Sequence, residues 1–131
     1  MDITNLTVHE LMDKLDKNEL TSEEITKAYV DRIAEKEKDV NAFVTTLCDE
    51  ALKKAKEIDE KRKNGEVKSS LAGIPVGIKD NICTKGIRTT CSSRMLEDFV
   101  SPYNATVTEK LLEEDLIDLG KLNMDEFAMG A

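Results

Sequence analysis

Lys79 is the side chain whose neighbours most suggest chemistry. It follows the apolar stretch Ile74-Pro-Val-Gly-Ile and precedes Asp80 and Asn81. An ammonium drawn into an apolar strand loses hydration, which favours the neutral amine and lowers its pKa. A neutral lysine can act as a general base and replace histidine in activating a serine hydroxyl. From the residues alone, the simpler account is a strand-end lysine paired with Asp80.

Other catalytic schemes find little support. His9 is the one histidine, and it sits beside Thr7 at an expected exposed helix start. Nothing near it suggests a Ser-His-Asp or Cys-His arrangement. Neither GxGxxG nor GxxxxGK[ST] occurs, so no glycine-rich phosphate loop is present. The carboxylates fall mainly on helix surfaces, and no His/Cys/Asp cluster suggests a metal. Cys48, Cys83 and Cys91 are odd in number, and their spacing matches neither a CxxC pair nor a zinc knuckle. They are read as reduced structural thiols.

The elements that must position Lys79 fall into two halves. Residues 1–66 are charged and helical in pattern. Residues 67–131 bring glycine, proline and β-branched residues and a mixed pattern. One unit spanning 1–131 is expected. Thr7 with Glu10 forms a capping box for a helix from Thr7 to Lys17, whose buried stripe is Val8, Leu11, Met12 and Leu15. Thr21 with Glu24 opens a second helix to about Glu37, with Ile25, Ala28, Tyr29 and Ile33 inward. The stretch from Asn41 to Thr46 reads as extended. A third helix runs from about Asp49 to Lys63, and Asn64-Gly65 supplies the left-handed residue that ends it. Around Lys79, Ile74, Val76 and Ile78 alternate with Pro75 and Gly77, giving a strand with one nearly bare face. Such a face admits another backbone or a ligand. Pro75 suits a strand start or a bulge. Asn104 or Thr106 caps a fourth helix through Val107, Leu111 and Leu112.

Composition narrows the function classes. The chain has 131 residues, 40% hydrophobic and 35% charged, with a net charge of -8. That balance argues against a dedicated nucleic-acid surface. Two Tyr, three Phe and no Trp leave little for base stacking. No apolar run approaches the roughly 18–20 residues of a membrane span. The opening MDITNLTVHE lacks the pattern of a signal peptide. A soluble, cytoplasmic protein is expected.

Four stretches together carry a resemblance. Leu71-Ala-Gly-Ile-Pro-Val-Gly-Ile-Lys-Asp-Asn, Thr89-Thr-Cys-Ser-Ser, Asn104-Ala-Thr-Val and Gly120-Lys-Leu-Asn-Met-Asp-Glu-Phe-Ala-Met-Gly closely resemble the amidase signature family. The similarity is to its tRNA-dependent amidotransferase branch and extends over the whole chain. It implies an α/β or α+β fold, with the helical half packed on a small, incomplete mixed sheet. It also implies a Ser-Ser-Lys triad in which Lys79 is the base, and substrate contacts from Met129 and Gly130. In the family this site hydrolyses glutamine to glutamate and ammonia through an acyl-enzyme. The resemblance implies no cofactor in this chain. A partner subunit uses ATP and magnesium to activate the glutamyl ester on Glu-tRNA(Gln), and a third subunit braces the complex.

Two departures qualify that picture. The triad serines of the family lie downstream of Ala131, and Ser92 and Ser93 belong to a different motif, so no glutaminase activity is expected from this chain alone. Where the family has an apolar strand, this chain reads Asp115-Leu-Ile-Asp-Leu-Gly-Lys. Each aspartate would cost several kcal/mol, roughly, if buried unpaired in a sheet. The expectation is that this segment is no central strand and that helix four continues to about Leu119. The competing reading is a strand with one wet face. The alternative function is a non-catalytic module that self-associates, because an incomplete sheet leaves an edge that invites pairing.

Overall fold

A computed structural model describes residues 2–130. Four helices and three strands follow the order α1 (Val8–Asp16), α2 (Ser22–Val40), β1 (Phe43–Thr46), α3 (Cys48–Lys63), β2 (Pro75–Lys79), α4 (Thr106–Glu113) and β3 (Ile117–Leu122), with short 3-10 turns between some of them. The mixed α/β class expected from the sequence is the one observed. Both capping boxes form: Thr7 and Thr21 each accept from the backbone N–H three residues on, and Glu10 and Glu24 reach back to the cap N–H. α2 runs to Val40, past the expected end, and closes on Asn41 in the left-handed region. α4 starts at Thr106 with Ala105 as its cap and no side-chain capping bond. Asn104 instead accepts from the Lys85 N–H at 2.7 Å.

The three strands form one mixed sheet in the order β1-β3-β2. β3 lies in the middle, antiparallel to β1 and parallel to β2. The expectation of a longer fourth helix is therefore wrong: the segment with two aspartates is the central strand. Each aspartate avoids an unpaired burial by its own route. Asp115 stays outside the strand, in a turn with φ 57°, and pairs with Lys54 at 3.5 Å and Lys61 at 3.8 Å. Asp118 is half-buried within the strand, and its carboxylate accepts from the Gly120 N–H at 2.9 Å. Burial still pushes the Asp118 carboxyl up to about 6, partly opposed by that bond and by the nearby charge of Lys121.

Two apolar clusters hold the sheet. Ile117 and Leu119 pack with Ala51, Ala55 and Ile58 of α3. Leu116 and Ile74 pack with Leu11 and Leu15 of α1 and Ile25 of α2. Pro75 opens β2, where its missing N–H costs no central ladder bond. The bare position at Gly77 is filled from within, because a Cβ there would press on the side chain of Leu122. Gly120 has φ +148°, and a Cβ there would strike the carbonyl of Thr45 on β1. The close approach of β1 to β3 thus requires glycine.

Candidate active site

β2 and β3 run parallel, so their carboxyl ends present Lys79 and Asn123 on one side of the sheet. In open α/β sheets, ligands are bound beyond such strand ends. The chain leaves β2 through a tight turn closed by the Ile82 N–H donating to the Lys79 carbonyl at 3.0 Å. Asp80 continues the sheet pairing by donating its N–H to the Leu122 carbonyl at 3.0 Å. Its side chain is fully buried. One carboxylate oxygen accepts from the Thr90 N–H at 3.1 Å and from the Thr90 hydroxyl, while the other has no hydrogen-bond partner among the described residues.

Thr90 begins the loop that faces the strand ends. The next two residues, Cys91 and Ser92, take φ values of 52° and 54°. Left-handed conformations at consecutive non-glycine residues are costly and persist where the surroundings hold them. Here the Cys91 N–H donates to the Asp80 carbonyl at 3.0 Å, and the Phe127 N–H donates to the Cys91 carbonyl at 3.0 Å. The Ser92 hydroxyl donates to the Asn123 side-chain oxygen at 2.9 Å and accepts from the Met124 N–H at 3.1 Å. The Ser93 hydroxyl donates to Glu126 at 2.9 Å and accepts from the Met95 N–H at 3.2 Å. Both hydroxyls are thus spent on clasping the 90–93 loop to the chain after β3. They line the site as fasteners.

The surroundings expected for Lys79 need correction. It is exposed at the tip of β2, so its amine is not drawn into the apolar strand. Nor is it paired with Asp80, whose carboxylate points to Thr90 instead. Met129 is 84% exposed, and Gly130 leans on Asp125. The desolvated lysine is another one. Lys121 on β3 is fully buried, and its Nζ donates to the Ile82 carbonyl at 2.5 Å, Thr84 Oγ1 at 3.1 Å and Thr89 Oγ1 at 3.2 Å. Burial lowers its pKa, opposed first by the charge of Asp80 and then by that of Asp118. Sequence reasoning missed it because a lysine after Asp118 and Gly120 reads as one more polar residue. The available signal was its position within Ile-Asp-Leu-Gly-Lys-Leu, a strand length with only two charges.

The thiols and His9 stand apart from this arrangement. Cys48, Cys83 and Cys91 are free, and burial raises the pKa of Cys48 and Cys91. His9 is exposed on the first turn of α1. A concave surface of about 310 Å³ lies between α3, the 84–87 loop and Leu112, and its lining does not include Lys79.

A family model described as Amidase matches residues 24–131. The chain belongs to the amidase family. Over all 131 residues it is 58% identical to a glutamyl-tRNA(Gln) amidotransferase subunit from Thermoanaerobacter pseudethanolicus (strain ATCC 33223 / 39E) and covers 27% of that protein. It is 54% identical to a Clostridium acetobutylicum subunit of the same kind of amidotransferase, again covering 27%. The chain therefore spans about a quarter of the length of the curated relatives it matches. Among solved structures, the native peptide amidase from Stenotrophomonas maltophilia superposes with a TM-score of 0.86 at 32% identity, over 94% of this chain and 26% of that one. An amidase family protein from Bacillus anthracis str. Ames gives 0.85 at 34% identity, over 95% and 25%. These likenesses place the mixed sheet and its helices within the amidase fold. Among the described residues, no helix is long and apolar enough to cross a membrane.

Proposed function

We propose that this chain supplies the lysine portion of the glutamine-hydrolysing site of a glutamyl-tRNA(Gln) amidotransferase. The observation that carries this reading is Lys79 held at the carboxyl end of a parallel strand, in a chain 58% identical throughout to one subunit of such an enzyme. In this reading the neutral Lys79 amine accepts a proton relayed through one serine from a second, nucleophilic serine. That serine adds to the glutamine amide carbonyl, the C–N bond breaks, and nitrogen leaves as ammonia after taking up a proton. Water then cleaves the acyl ester to give glutamate. Ser92 and Ser93 are committed to Asn123 and Glu126, so the reading takes both serines from outside these 131 residues. It also takes from there the cover that removes water from Lys79. Met129 and Gly130 would meet substrate only in that completed site. The ammonia would pass to a partner subunit that uses ATP and magnesium on Glu-tRNA(Gln) in the cytoplasm, with a third subunit bracing the assembly.

The test is a graft. This chain replaces the matching residues of the Thermoanaerobacter pseudethanolicus relative, and ammonia release from glutamine is measured in the reconstituted complex. Glutamine-dependent release that disappears in Lys79→Ala is the expected result. Release that survives Lys79→Ala would reject the proposed role. The chain by itself is expected to release none.

A second reading has its own observation. β2 carries no strand on its outer side among the described residues, and its unpaired edge is a template for a second copy. In that reading the chain alone is a self-associating module. Light scattering of the purified chain would show a dimer or larger species, and a monomer across the accessible concentration range would count against it.

A further inference from the structure

Among the described residues, Lys121 is the largest fully buried side chain, and its ammonium has no carboxylate within 4 Å. Three donors meet three uncharged oxygens, so the group is fully satisfied. All three oxygens belong to the stretch that leaves β2: Ile82, Thr84 and Thr89. The first of them matters most. Ile82 closes the turn on Lys79, its N–H donating to the Lys79 carbonyl while its own carbonyl accepts from Lys121. Lys121 also faces Ile78 in the β2–β3 register, one step before Lys79. The side chain therefore starts at the neighbouring strand and ends on the far side of the turn that carries Lys79. A methionine could fill much of the same apolar path, but only an ammonium can tie the turn and the 84–89 stretch to one point. On the other side of that turn, the buried Asp80 carboxylate ties Thr90 in the same way.

We propose that Lys121 is a positioning residue for Lys79, its ammonium clamping the turn and loop that set where the Lys79 amine stands. The inference rests on the reading of Lys79 as the base. A proton acceptor displaced by about 1 Å can lose on the order of 100-fold in rate without loss of binding.

In the graft described above, Lys121→Met is expected to lower kcat for glutamine hydrolysis by about 30- to 100-fold with KM changed by less than about threefold. Thr89→Val, which removes a single acceptor, is expected to lower kcat by about three- to tenfold. Amide hydrogen exchange should quicken at Ile82 in both variants and stay unchanged at Ile58, in the buried core on α3. Wild-type kcat in both variants overturns the clamp, as does a loss of kcat with no change at Ile82 or with equal loosening at Ile58. If Lys121→Met does not fold, Thr89→Val decides alone, and unaltered kcat there overturns the proposal. Hydrolysis that persists in Lys79→Ala is a separate outcome: it rejects Lys79 as the base, and the positioning role falls with it.

Discussion

Lys79 closes β2 and Lys121 lies one register step back on β3, yet their surroundings are opposite. Lys79 stands in solvent, while Lys121 is sealed beneath the loop that follows β2. The same contrast holds for the strands. β2 keeps its charge at the tip, whereas β3 carries Asp118 and Lys121 inside a sheet bounded on both sides. A charged group is tolerated inside when the backbone and neighbouring hydroxyls bring enough partners to it. The 82–89 loop does this for Lys121, and the Gly120 N–H does part of it for Asp118. Hydrophobic patterning alone misjudges such a strand, because it counts charges without counting the partners that will meet them.

The largest expected effect tests the exposed member of the pair. In the graft, Lys79→Ala should reduce glutamine hydrolysis by at least about 1,000-fold, as loss of a triad member does. In the chain by itself, the same substitution should change the unfolding free energy by less than about 0.5 kcal/mol, as at other exposed positions. A drop in stability measured by urea titration would mean that Lys79 is not the surface residue seen here.

The next effect lies beside Lys121. Gly120→Ala places a methyl against the Thr45 carbonyl and strains a φ of +148°. It should cost about 3 kcal/mol or more, since backbone cannot swing aside. Gly77→Ala meets only the Leu122 side chain, which can rotate, and should cost about 1–2 kcal/mol. Equal losses in urea titration would show that the β1–β3 approach is no tighter than the β2–β3 contact.

Asp118 gives a smaller effect with a pH signature. Its folded pKa is about 6 against a reference of 3.8, so the folded state holds this proton more tightly than the unfolded chain. Stability from this group is fully present below about pH 4 and is lost as pH rises through about 6. Asp118→Asn keeps an acceptor for the Gly120 N–H and removes the charge. It should stabilise the chain by about 1–3 kcal/mol at pH 8 and by almost nothing at pH 4. Urea titrations at the two pH values would check this, and an equal gain at both would rule out burial of the charge as the cause.

The mildest test is chemical labelling. Under brief acetylation at pH 8, Lys79 should modify at the rate of other exposed lysines, while Lys121 stays protected until the chain unfolds. Mass spectrometry of the labelled peptides reads both. Early labelling of Lys121 would mean that the loop over it opens readily.

Much of this molecule was legible before any coordinates. Two Thr-x-x-Glu boxes with apolar residues at helical spacing can be satisfied locally, and α1 and α2 begin where those boxes stand. Pro75 followed by alternating Val76 and Ile78 marks β2, and Gly65 with φ +71° follows α3 as expected. The motif around Lys79 pointed to the amidase family, which the family match over residues 24–131 bears out. These features rest on bonds and contacts within a few residues, so the order of residues determines them. Other features depended on distant partners. Asp115 could be placed only once Lys54 and Lys61 of α3 came near it, and β3 became central because β1 and β2 arrived on either side. Burial of Lys121 depended on Ile82, Thr84 and Thr89 folding over it, and exposure of Lys79 on what this chain leaves uncovered. Hydration of a charged group is decided by everything that surrounds it in space. Residue type therefore announced that a lysine could do chemistry, and the tertiary structure chose which lysine is dry and which is wet.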